Sequence, residues 1–95
     1  MIQSFQSVAT EDFFYEGKIP RKAGWRGISR IVMRKLEMVD AAEVLDDLKV
    51  PPGNRLEKLR GDLSDFHSIR VNDQWRVIFV WHDGAPEEVE VVDYH

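Results

Sequence analysis

Arg55, Lys58, Arg60, Arg70, Asn72, Gln74 and Arg76 gather cations and amides in the second half of the chain, and the last residues are Asp93-Tyr94-His95. Such a set suits cleavage of RNA without a metal ion. A ribose 2′-OH must lose a proton and attack the adjacent phosphorus, the leaving 5′-oxygen must gain one, and the phosphorane charge must be held. Arginine holds equatorial oxygens well because its planar fork matches phosphate geometry. Tyr94 can stack a base or move a proton. Asp93 and a terminal α-carboxylate beside the imidazole would favour imidazolium, which raises the pKa of His95 and keeps a proton ready for the leaving group. The plainer alternative is a solvated hairpin tip with a paired arginine. Arg76→Ala separates the two: a phosphate ligand predicts lost cleavage with little change in melting temperature, a buried pair predicts unfolding.

The element that must position these groups is His67 to Trp81. Ile69 and Val71 alternate with Ser68 and Arg70, Asn72-Asp73-Gln74 supplies turn chemistry, and Trp75, Val77, Phe79 and Trp81 share one face of a second strand. Ile78 and Val80 make the other face nearly as apolar, which marks a central strand. Arg76 interrupts it, and a guanidinium there must be paired or used. His82-Asp83-Gly84-Ala85-Pro86 turns again, and Val89, Val91 and Val92 form a last strand.

The first half reads as helical. Thr10 is the expected N-cap of a short helix with acids in its first turn, aromatics at Phe13, Phe14 and Tyr15, and a stop at Gly17. Met1–Ser7 is a weak edge strand, and Ile19 to Gly24 a linker. From Trp25 to about Ala42, Ile28, Ile31, Val32, Leu36 and Val39 recur at helical spacing, with Lys22, Arg26, Arg30 and Arg34 on another face. That ladder suits RNA backbone, an acidic partner, or simply water. Val44, Leu45 and Leu48 predict one more inward-facing turn. Pro51-Pro52-Gly53-Asn54 separates the helical half from the sheet half. Leu56 and Leu59 are expected inside, and Arg55, Lys58 and Arg60 outside. The whole is α+β: N-terminal helices packed on one antiparallel β-sheet in a single domain, 1–95.

Composition bounds the rest. Ninety-five residues fit one modest core. No cysteine is present, which excludes disulfides, zinc-thiolate sites and thiol nucleophiles. His67, His82 and His95 lack metal-ligand spacing, and no glycine-rich phosphate loop occurs, so neither metal nor cofactor is expected. No apolar run approaches the roughly 20 residues of a membrane span, and a cytoplasmic location is expected. The net charge of −4 argues against bulk nucleic-acid binding, but it is unevenly spread. Seven basic residues and no acid lie between Lys18 and Lys35, then five acids and no base between Glu37 and Asp47.

The chain resembles the HigB toxins of the RelE/ParE superfamily, members of bacterial toxin–antitoxin systems. The resemblance rests on Met1-Ile2-Gln3-Ser4-Phe5, Pro52-Gly53-Asn54-Arg55-Leu56, Arg60-Gly61-Asp62, Ser68 to Arg76, and above all Val92-Asp93-Tyr94-His95. It implies a compact α+β fold, a ribosome-dependent endoribonuclease that cuts mRNA, and a HigA-like helix-turn-helix antitoxin as partner. By position it implies catalytic roles for Asp93, Tyr94 and His95 and phosphate contacts for Arg70, Asn72 and Arg76. Arg60 stands where relatives often have lysine. Some relatives carry a catalytic histidine three residues earlier, where this chain has Glu57, which can act as general base but not as a cation. The alternative on the same scaffold is a toxin without nuclease activity that inhibits a protein such as DNA gyrase.

Overall fold

The computed structural model describes residues 1–94. Its sheet has four antiparallel strands in the order β1-β2-β3-β4: β1 Glu57–Lys58, β2 Phe66–Arg70, β3 Trp75–His82 and β4 Ala85–Asp93. Two helices, α1 (Val8–Glu16) and α2 (Ser29–Ala41), precede it. The expected helices on one antiparallel sheet are therefore present.

The β2–β3 hairpin pairs Arg70 with Arg76 and Ser68 with Ile78. The β3–β4 hairpin turns on Asp83 (φ 51°) and Gly84 (φ 78°). Positive φ at both central residues is the turn whose twist matches the strands, and Asp-Gly is a preferred sequence for it. The strand after this turn starts at Ala85, well before the apolar run at Val89 that marked it in the sequence. Pro86, Glu87 and Glu88 hide it because a proline and two acids read as loop. Pro86 nonetheless pairs with Trp81, and a shift in register between Ile78 and Val80 accommodates the extra residue.

Because side chains alternate, Ile69, Val77, Phe79, Val89 and Val91 bury one face of the sheet beneath α2, which contributes Val32, Leu36 and Val39. Phe13 of α1 meets Trp25 edge-on at 4.7 Å and closes the core. The linker approaches the sheet closely at Gly24, where a Cβ would fall 2.6 Å from the Trp75 indole. The segment before α1 runs beside β4: Gln3 N–H donates to Pro86 O, Gln6 N–H to Val89 O, and Phe5 bridges Val89 in parallel. The predicted edge strand is thus a single bridge with flanking hydrogen bonds.

Four local expectations are corrected. Ser7, not Thr10, caps α1, its Oγ accepting from Thr10 N–H at 3.2 Å. Thr10 is buried one turn inside, where its hydroxyl donates to Glu90. Both are good caps, and the tertiary contact with Glu90 selects between them. The second helix begins at Ser29 rather than Trp25. Arg26–Ile28 forms a 3-10 turn instead, consistent with the low helix propensity of Gly27 and with Trp25 being held in the core. Leu48 packs inward as expected, but Val44 is exposed, since Leu45–Lys49 winds as a tighter 3-10 turn. Tyr15 is also exposed and does not enter the core.

Candidate functional site

Arg76 is the centre of the site. It is on the sheet face opposite the helices and is buried, at 6% exposure. Nε donates to Ser68 Oγ at 2.8 Å and Nη2 to the Arg55 carbonyl at 2.7 Å. The carboxylate of half-exposed Glu57 stands 3.8 Å from Nη2. The ring of Tyr94 lies 5.1 Å from the guanidinium carbon, a cation–π contact. The pairing that the plainer alternative called for is thus present. Arg76 is internally paired and still meets two groups with chemistry of their own.

Strand geometry explains this meeting. Glu57 pairs with Ser68, and Arg76 pairs with both Arg70 and Val92, so Glu57, Ser68, Arg70 and Arg76 share one face. Tyr94 is two residues beyond Val92 and keeps that face. Its backbone N–H donates to Gln74 O at 2.8 Å, which ties the chain to the sheet past the end of β4. Asp93 alternates to the opposite side, and its carboxylate accepts from Gln74 Nε2 at 2.9 Å.

A cleft of about 610 Å³ opens beside these groups, lined by Glu57, Lys58, Leu59, Arg60, Leu63 and Tyr94. Lys58 and Arg60 are exposed at its rim, while buried Leu59 and half-exposed Leu63 form an apolar wall. An acid, two cations and an aromatic ring around an apolar floor suit a nucleotide: ring to base, cations to phosphate.

The remaining sequence candidates are placed differently. Arg70 donates from Nη2 to Asp73 at 2.5 Å at the hairpin tip. Asn72 turns its side-chain oxygen into that tip, accepting from Gln74 N–H and Trp75 N–H at 2.9 and 2.8 Å. Arg55 supplies its backbone carbonyl to Arg76, held in the left-handed region at φ 46°. None of these three lines the cleft. His95, expected to be the proton donor with a raised pKa, lies outside the described residues. The ladder residues Lys22, Arg26, Arg30 and Arg34 are exposed and do not line the cleft. Arg26 donates to the Pro20 carbonyl at 3.0 Å.

Sequence reasoning missed Ser68, although it is fully buried at the heart of the site. In the sequence it is merely the polar member of an alternating strand. Among the described residues no cluster of histidines and carboxylates forms a metal site. No helix among them is long and apolar enough to cross a membrane.

The described histidines outside the cleft set opposite pH responses. His67 stacks on Phe79 at 6.2 Å and has a buried Nδ1 without a hydrogen-bond partner among the described residues. Burial, aided by Lys58, lowers its pKa. The unfolded chain therefore takes up a proton first as pH falls. Stability is whole above the ordinary histidine value of 6.5 and declines below it toward the lowered folded pKa. His82 is exposed, and its pKa is raised by its hydrogen bond to Glu87 and by Asp83. Its contribution is present below 6.5 and lost as pH rises through the raised pKa. His67→Gln is expected to flatten the fall in melting temperature between about pH 7 and 5, and His82→Gln to steepen it. Thermal scans of the three proteins across that range, showing parallel curves, would remove both assignments.

Comparison with known proteins follows the same line. Residues 3–95 match the family described as the RelE-like toxin of the type II toxin–antitoxin system HigB. Toxin HigB-1 of Vibrio cholerae serotype O1 is 44% identical over 85 residues, covering 90% of this chain and 88% of that protein. An uncharacterized protein of Haemophilus influenzae is 41% identical over 54 residues, 57% of this chain and 54% of its own. Among solved structures, the YoeB–YefM complex from Staphylococcus aureus superposes with a TM-score of 0.59, covering 100% of this chain and 98% of that one at 19% identity. That likeness concerns the fold.

Proposed function

This chain belongs to the HigB-like toxins, RelE-like toxins of type II toxin–antitoxin systems, and from that premise we propose that it is a ribosome-dependent mRNA endoribonuclease. The observation that carries the proposal is the Arg76 guanidinium, fixed between Glu57 and Tyr94 next to an open cleft with a cationic rim. Two internal hydrogen bonds hold the guanidinium in place, so it needs no reorganisation when charge develops on a phosphorane.

The roles of Glu57, Arg76 and Tyr94 are assigned from their contacts, and that of His95 from the resemblance alone. Glu57 takes the 2′-OH proton, Arg76 holds the equatorial oxygens, Tyr94 stacks the base, and His95 protonates the leaving 5′-oxygen. Lys58 and Arg60 at the rim guide the phosphates. Arg55, Arg70, Asn72 and Asp93 support the site from the turns and from β4. No metal ion takes part in this scheme. The partner that holds the toxin in check is a HigA-like helix-turn-helix antitoxin. Membership in a type II toxin–antitoxin family supports an antitoxin partner.

Primer extension on a reporter mRNA in a reconstituted translation system tests the proposal. The wild type is compared with His95→Ala and Glu57→Gln, each with and without ribosomes. Cuts within codons that need ribosomes, fall sharply in His95→Ala and slow in Glu57→Gln are the expected result. Intact mRNA under conditions where the protein still arrests growth would replace the nuclease with a toxin against a protein target such as DNA gyrase.

A further inference from the structure

Ser68 is a fully buried hydroxyl on β2, next to the apolar Ile69. Its only described side-chain partner is Arg76 Nε, at 2.8 Å. The second internal acceptor for Arg76 is a backbone carbonyl, at Arg55, in a left-handed turn that follows Pro51-Pro52-Gly53-Asn54. These two acceptors take Nε and Nη2, the same edge of the guanidinium plane. Among the described residues Nη1 has no hydrogen-bond partner. A planar group held at two points along one edge cannot turn about its Cδ–Nε bond without breaking one of them.

We propose that Ser68 and the Arg55 carbonyl form a clamp that sets the plane of the Arg76 guanidinium, making Ser68 a positioning residue for cleavage. The inference rests on the nuclease reading for its kinetic consequence, but the clamp itself does not. The physical argument is that a lone arginine on a sheet face samples several rotamers, and each must be given up when charge develops on the substrate. With one edge satisfied internally, the cost is met on folding. The guanidinium, with the Tyr94 ring over its face and Glu57 3.8 Å from Nη2, is then held in one orientation that leaves Nη1 for the substrate. Misplacing such a donor by about 1 Å is enough to slow a reaction on the order of a hundredfold.

The test uses a shape-matched pair, Ser68→Thr and Ser68→Val. Both add the same bulk at a buried position, and only threonine keeps the hydroxyl. Single-turnover cleavage of ribosome-bound mRNA is expected to stay within a few-fold of wild type in Ser68→Thr. In Ser68→Val it should fall about tenfold to a hundredfold in maximal rate, with half-saturation unchanged. In parallel, ¹⁵N spectra of the arginine side chains report Nε–H exchange with solvent. A slowly exchanging Arg76 Nε–H in the wild type and Ser68→Thr, lost in Ser68→Val, is expected. Equal rates in the two variants with a protected Nε–H would overturn the positioning role. Rapid Nε–H exchange in the wild type would overturn the clamp itself. A wild type that shows the protected Nε–H but cuts no mRNA would instead retire the nuclease reading and leave the clamp as a structural device.

Discussion

Arg76→Lys is expected to cut ribosome-dependent mRNA cleavage by about a hundredfold to a thousandfold while the protein still folds and resists proteolysis. Lysine keeps the positive charge, so a loss of that size isolates the guanidinium fork rather than the charge. An ammonium at this site cannot hold Ser68 Oγ and the Arg55 carbonyl in the plane of a fork that also lays a flat face against Tyr94. Arg76→Ala is a blunter probe. It leaves the buried Ser68 hydroxyl without its donor, at a cost of roughly 1–3 kcal/mol, and also breaks the bond to the Arg55 carbonyl. The sequence alone predicted lost cleavage with little thermal change for that variant. The buried pairing corrects the second half: Arg76→Ala should lose both activity and stability. Primer extension with thermal unfolding on the same preparations checks this, and Arg76→Lys with wild-type cleavage would remove Arg76 from the chemistry.

Asn54→Ala is expected to destabilise the fold by about 2–4 kcal/mol without touching any group in the cleft. Asn54 is fully buried. Its side-chain oxygen accepts from Lys35 Nζ at 2.6 Å, and its amide donates to the Leu48 and Val50 carbonyls at 3.2 and 3.4 Å. One side chain thus pins the proline-rich joint to both the preceding turn and α2. Alanine would also strand a buried ammonium, since Lys35 already has its pKa lowered, first by burial and then by Arg34 and Arg70. That penalty is present in full at neutral pH and is relieved as pH rises from the lowered folded value toward the ordinary 10.5. For a domain of this size the loss corresponds to a fall in melting temperature of about 10 °C or more. Urea unfolding at pH 7 measures it directly. A change under about 0.5 kcal/mol would mean the joint is held by packing alone.

Local periodicity carried much of the architecture. Alternation from His67 to Trp81 identified the β2–β3 hairpin, and spacing of three and four identified α2, because both patterns are produced by neighbours in the chain. Arg76 stood out for the same reason: a guanidinium within an apolar strand is a local anomaly with few physical explanations. Asp83-Gly84 declared a turn by residue type. The cap of α1 was not legible, because Ser7 and Thr10 are equal by local chemistry and a contact with Glu90 far along the chain decided between them.

By itself, the sequence determined the order of elements, the apolar faces, and the kinds of group available to the site: a glutamate, guanidinium groups and an aromatic ring near the end. Only the tertiary structure decided which of them meet. Register across three strand pairs puts Glu57, Ser68, Arg76 and Tyr94 on one face, while Arg70 and Asn72 are drawn into their own turn. A one-residue slip in any pair would send those side chains to the opposite face without changing the composition of a single strand. Register is chosen by the packing of the whole sheet against α2, and no stretch of the chain records it alone.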